Sequence, residues 1–192
     1  MDLRARLFDA FASRPHQGTN PVRPDSEAGA DRMRDVLASK TASDISPDDV
    51  NSVFEGNLWM LNREAFLHYL PALMDIALDR YDKVSVFASE LIGALTKPDR
   101  NDVLASLDRL DQLPPELGLS DPAVADPLRR QQLEWFDSGT PTAIFEERFN
   151  DLSDPEGAAI LAFLEAFRDQ HGANFPFGEL DTAIDRHWAQ FG

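Results

Sequence analysis

No cysteine occurs among the 192 residues. That excludes a disulfide framework, a thiolate-ligated zinc and a thiol nucleophile, and it fits a reducing compartment. Long apolar runs are also missing. No stretch reaches the roughly 18–20 residues of a membrane span. The opening residues, MDLRARLFDAFASR, mix charges with apolar side chains, unlike a secretory leader. A cytoplasmic protein is expected. Glycine is sparse, at 10 residues, and no G-x-S-x-G, G-x-x-x-x-G-K or G-x-G-x-x-G is present. The nucleophile elbow, the phosphate loop and the dinucleotide fold therefore lack their usual parts. A triad assembled from distant residues would leave no such trace.

Phenylalanine is what the chain has in quantity: 13 Phe against 3 Trp and 2 Tyr, within a hydrophobic fraction of 43%. Phenylalanine has no polar atom to satisfy, so this bias points to interior packing. Charge is the other excess. The net charge is −16, unevenly spread. Residues 1–40 carry 7 basic and 6 acidic groups, residues 41–115 carry 6 and 13, and residues 116–192 carry 5 and 15. Nucleic-acid binding and adhesion to an anionic membrane both need clustered cations, so neither is expected. Such a field speeds encounter with a basic protein; the same charge also serves solubility. Arginine outnumbers lysine 15 to 3, which reads as genomic bias.

Helical spacing recurs along most of the chain. Leu3, Leu7, Phe8 and Phe11 form one stripe after Asp2, a plausible cap. Pro15, Pro21 and Pro24 with Gly18 make residues 15–25 a loop. Met33, Val36 and Leu37 mark a short helix. Ser46-Pro47-Asp48-Asp49 is a strong start, with a hydroxyl cap, proline at the first helical position and two acids at the positive end of the dipole. That helix should stop near Gly56. Residues 57–61 should be a buried connector without a pairing partner. Asn62 then caps the most apolar stretch, 63–81, in which Phe66, Leu70, Leu73, Ile76 and Ala77 share a face. Pro71 within it should kink the helix or split it after Tyr69. Val84–Leu95 and residues 99–113 follow, the latter ended by Pro114-Pro115. Asp126-Pro127, Thr140-Pro141 and Asp154-Pro155 each read as a cap followed by a first-turn proline, with Gly139 and Gly172 as stops. The last amphipathic stretch carries Leu180, Ile184, Trp188 and Phe191. The expectation is an all-α, compact bundle of about nine helices with little or no sheet. It forms one domain over 1–192, with an N-terminal helix and proline-rich loop at 1–26 and the helical core at 27–192.

Two blocks stand out: Leu61-Asn-Arg-Glu-Ala-Phe66-Leu-His-Tyr69-Leu70-Pro71-Ala72-Leu73, and Arg148-Phe149-Asn-Asp-Leu152-Ser-Asp-Pro-Glu156 continuing to Ile160, Phe163, Leu164 and Glu165. Together they resemble a family of small bacterial proteins with a domain of unknown function. That family couples an E-A-F-x-x-Y-L-P-A helix to a later L-(S/T)-x-x-(Q/E)-x-x-x-(I/V)-x-x-F-L helix. Glu156 stands where glutamine is the commoner residue. The resemblance implies an all-helical fold and brings no activity and no site residues with it.

Four histidines, His16, His68, His171 and His187, lie outside any zinc-binding spacing. His68 falls between Leu67 and Tyr69 in an apolar helix. His171 and His187 follow Asp169 and Asp185 by two residues. Asp75, Asp79 and Asp82 recur at i, i+4 and i+7, with Glu64 further up the segment. Such carboxylates contribute to divalent-metal cages when a second helix completes them; no partner helix of that type is evident, and a solvated acidic face is the simpler reading. No cofactor and no metal are expected. Trp59, Trp135 and Trp188 are core residues by default and interface anchors by alternative. The leading functional expectation is a non-catalytic acidic protein that binds and occludes a basic protein partner, in its sharpest form an immunity protein that neutralises a toxin. Its contact surface would lie around Asp137, Glu146, Glu147 and Asp151. The alternatives are an enzyme with an unrecognised carboxylate–metal site around Asp75 and Asp79, and a regulatory or scaffold protein.

Overall fold

The computed structural model describes residues 2–14, 21–23, 30–110 and 122–192. Most of the proline-rich loop, His16 and the Pro114-Pro115 stop lie outside the described residues. Within them the fold is all-α: α1 (Leu3–Ala10), α2 (Ala30–Leu37), α3 (Pro47–Asp49), α4 (Arg63–Asp79), α5 (Tyr81–Leu95), α6 (Arg100–Leu110), α7 (Pro122–Asp137), α8 (Thr140–Phe149), α9 (Asp154–His171) and α10 (Glu179–Arg186). There is no sheet among the described residues. The chain divides into two compact units, one of Met1–Thr96 with Asn150–Gly192 and one of Lys97–Phe149.

The first unit is built around α4. Twelve of its 17 residues are buried, on every side of the helix, as befits a central helix with neighbours all round. Helices α1, α5 and α9 pack on it. Phe66, Leu70, Leu73 and Ala77 are fully enclosed. The Asn62 side chain accepts from the Ala65 amide at 2.8 Å, capping α4 as its sequence requires. Ser46 and Asp49 form a reciprocal capping box at the start of α3. The chain then widens into a π turn over Val50–Phe54 and turns at Gly56, whose φ of 72° suits glycine.

Three punctuation marks fall elsewhere than expected. Helix α4 runs unbroken through Pro71, which is buried between Leu70 and Ala72. A proline inside a helix costs about 3 kcal/mol; burial of this segment on all sides outweighs that. The backbone instead leaves helical geometry at Arg80 (φ −126°) and Val84 (φ −131°). Likewise α7 begins with Pro122, which places Pro127 inside the helix and Asp126 away from a cap. Helix α9 is capped by Ser153, one residue before Asp154, and Glu156 closes a capping box with it. The connector 57–61 does have a pairing partner. Leu61 forms an isolated antiparallel bridge with Val22, supported by Arg23 N–H to Met60 O at 2.7 Å and Asn62 N–H to Pro21 O at 3.0 Å.

The second unit holds α6, α7 and α8, with α7 packed on both of the others. Its enclosed apolar side chains are few among the described residues: Leu107, Ala125, Phe145 and Phe149. The rings of Phe145 and Phe149 lie 4.8 Å apart on α8.

Candidate functional site

The carboxylates of α4 do not form a cage. Asp75 is partly buried, with Arg4 of α1 at 3.4 Å. Burial pushes its carboxyl above the usual range, the Arg4 charge draws it back, and Asp79 and Asp2 add to the rise. Glu64, Asp79 and Asp82 face solvent. No group of three or more potential ligands with metal-holding geometry occurs among the described residues.

A second polar cluster lies at the meeting of α1, α4 and α9, and sequence reasoning missed it. Glu156 is only 2% exposed. It receives Arg14 Nε at 2.5 Å and Nη2 at 2.8 Å, together with the Ser153 amide and hydroxyl, each at 2.8 Å. Burial raises the Glu156 carboxyl, but the bonds from Arg14 and Ser153 together hold it below the usual carboxylate range. The carbonyl of Arg14 lies 3.2 Å from His68 Nδ1. Ser153-x-x-Glu156 has the spacing of a capping box, which the reading of Asp154 as the cap passes over; the ion partner of Glu156, 142 residues away, leaves no local mark in the sequence. Tyr69, next to His68, donates from its hydroxyl to the carbonyls of Leu37 (3.2 Å) and Lys40 (2.8 Å). Burial, aided by the Asp44 charge, pushes that phenol up to about 12. These groups bind helix to helix. His171 does likewise, with Nε2 2.9 Å from Leu78 O and its ring stacked on Tyr81 at 4.5 Å.

The three tryptophans separate. Trp188 is fully buried and donates from its indole to Leu95 O at 2.6 Å. Trp59 and Trp135 are each 50% exposed. Trp59 sits on a short turn between buried Leu58 and Met60, its indole N–H bonded to Gly56 O at 3.1 Å.

The acidic residues expected at a partner surface divide as well. Asp137, Glu146 and Glu147 belong to the second unit and Asp151 to the first. Asp137 ends α7 in a two-pronged pair with Arg100 of α6, at 2.8 and 3.3 Å. That pair, chiefly through its hydrogen bond, lowers the Asp137 carboxyl. Asp151 pairs with Arg63 at the start of α4. Glu146 and Glu147 stand exposed on α8.

Between α6 and α7 lies an open cleft of about 380 Å³, lined by Asp102, Val103, Ser106, Leu107, Leu128 and Gln132. Leu104, Val124 and Trp135, on the same two helices, are 37%, 47% and 50% exposed. Three of the six large hydrophobic residues exposed among the described residues thus belong to this short unit. No described helix is long and apolar enough to cross a membrane. Comparison with protein-family models, with curated proteins and with solved structures finds no match to this chain.

Proposed function

We propose that this is a non-catalytic acidic protein that binds and covers a basic protein partner, in the manner of an immunity protein on a toxin, and that the second unit carries the contact. The observation behind this reading is Trp135, half exposed in a unit whose residues 97–149 hold 11 acidic and 6 basic groups. A large aromatic with one wet face is the type of residue that anchors interfaces. The surrounding charge would draw a cationic partner in.

Charge attraction acts mainly on association, and salt screens it over about 8 Å at physiological ionic strength. The test is affinity capture from the source cells with the full chain as bait, followed by binding kinetics of the captured protein at low and high salt. A basic partner whose association slows about tenfold or more with salt, and also slows when Glu146 and Glu147 are both changed to Lys, supports the reading. Exposed acids add little to stability, so that double variant should fold normally. Capture of no basic protein, or association indifferent to salt and to the reversal, refutes it.

A further inference from the structure

Two helices of this fold contain an internal proline, and their surroundings differ. Pro71 of α4 and Pro127 of α7 each lack an amide hydrogen, so each removes one bond from the i→i−4 ladder of its helix. In α4 that loss is offset by burial, with 12 of 17 residues enclosed. In α7, 16 residues long, Ala125 is the one enclosed side chain among those described. Leu128, Leu133 and Phe136 are partly exposed, and Val124 and Trp135 are about half exposed. Its neighbour α6 has 11 residues and encloses Leu107 alone among the described side chains. Helices of these lengths are marginal in water unless packing holds them.

Two polar ties between α6 and α7 do not replace a core. Arg100 and Asp137 pair with side chains 49% and 52% exposed, and an exposed pair adds little stability. Arg129 Nη2 reaches Leu107 O at 3.5 Å, the outer limit of a hydrogen bond. Leu107 and Leu128 line the same cleft, so loss of either helix uncovers the other. The first unit is held differently. There Phe163 and Phe167 of α9 and Phe87 and Leu91 of α5 have no exposed surface, and the buried Trp188 indole donates to Leu95 O at 2.6 Å. Chain order lets the two parts behave separately. Residues 97–149 are inserted between the end of α5 and the start of α9, and α4 packs on both of those helices. Opening the insertion lengthens a loop, and loop-closure entropy grows only slowly with length.

We infer that α6 and α7 open together under native conditions while α4, α5 and α9 stay folded. The second unit is then a conformational element that yields without loss of the scaffold. Trp135 lies on it, so a partner that covers Trp135 also closes it; that last step rests on the basic-partner reading above, and the opening itself does not.

The test is hydrogen–deuterium exchange of the full chain without partner, at stepwise urea concentrations below the unfolding transition. Interior amides of α6 and α7 should be at least about 100-fold less protected than those of α4 and α9. They should share one urea-dependent exchange rate, because a joint opening exposes surface. Pro127→Ala restores the missing ladder bond and should raise protection in both helices by about tenfold or more. Ile160→Val, a mild change at a fully enclosed position of α9, should lower protection in α4 and α9 about fivefold and leave α6 and α7 unchanged, since their opening keeps the first unit folded. Protection of α6 and α7 within about tenfold of α4 overturns the inference. An equal loss in all four helices on Ile160→Val also overturns it, because exchange would then need global unfolding. So do rates in α6 and α7 that ignore urea and differ from amide to amide, which mark fraying, and a Pro127→Ala variant with unchanged protection. These results concern the chain without partner and leave the basic-partner reading to its own test.

Discussion

Neutralising Glu156 should unsettle the first unit, and with a defined pH signature. The carboxylate is nearly inaccessible, holds two nitrogens of Arg14 and closes the capping box of α9. Removing one partner of a buried pair costs about 3–5 kcal/mol because the other charge stays behind. Here the Arg14 side chain is 21% exposed, so water recovers part of its solvation and the low end applies. Loss of the cap adds about 1 kcal/mol. Glu156→Ala should therefore cost about 3–5 kcal/mol. Glu156→Gln keeps an acceptor for Ser153 and loses the charge-assisted bonds, for about 2–3 kcal/mol. The carboxyl sits below its ordinary value in the folded state. Its contribution is then complete above the unfolded value of about 4.3 and fades as pH falls through the lower folded value. Urea unfolding, followed by circular dichroism at pH 7 and at stepwise lower pH, gives both quantities. The Gln variant should lose stability less steeply than the parent below about pH 4.3. A Gln variant within about 0.5 kcal/mol of the parent at pH 7, or with the same acid slope, would refute the argument.

Gly157→Ala should destabilise the protein although alanine is ordinarily the better helix former by about 1 kcal/mol. The ring of Phe191 occupies the space that the new methyl needs, and the loss, about 1–3 kcal/mol, should shrink in a Phe191→Ala background when both are measured by thermal unfolding. Asp75→Asn should not weaken the fold at pH 7. A carboxyl held above its usual range is least favourable when ionised, so stability should fall in the parent as pH rises through that raised range and stay level in the Asn variant; a variant clearly less stable at pH 7 would show that the Arg4 pair dominates. Phe66→Ala, in the first turn of α4 with no exposed surface, should cost about 3–5 kcal/mol in urea unfolding, and less than about 1 kcal/mol would mean that this side chain is not part of the core.

What could be read from the sequence was what is decided locally. Ser46 and Asn62 bond amides three residues away, so their side chains announce the helix starts. The apolar circumference of α4 likewise marks it as central. The prolines misled because a local penalty competes with non-local burial. The helix that holds Pro71 packs against α1 and α9, both distant in sequence, as well as against α5, which follows it directly. Asp154 and Ser153 are both competent caps, and only the backbone shows that serine takes the role. The candidate surface was half legible. Glu146 and Glu147 are exposed as their charge suggests, whereas the ion pairs of Asp137 with Arg100 and Asp151 with Arg63 join residues far apart in the chain. Trp135 lay beyond reach for another reason. Helical spacing shows that it shares a face with Val124 and Leu128, but not whether another element covers that face.

Hydrogen–deuterium exchange on the full chain, with and without its captured basic partner, tests the central claim most directly. The account predicts added protection concentrated in α6 and α7, over residues 100–110 and 122–137, and lost when Trp135 is replaced by Ala. Protection confined to the first unit, or absent from α6 and α7 despite saturating partner, would contradict it.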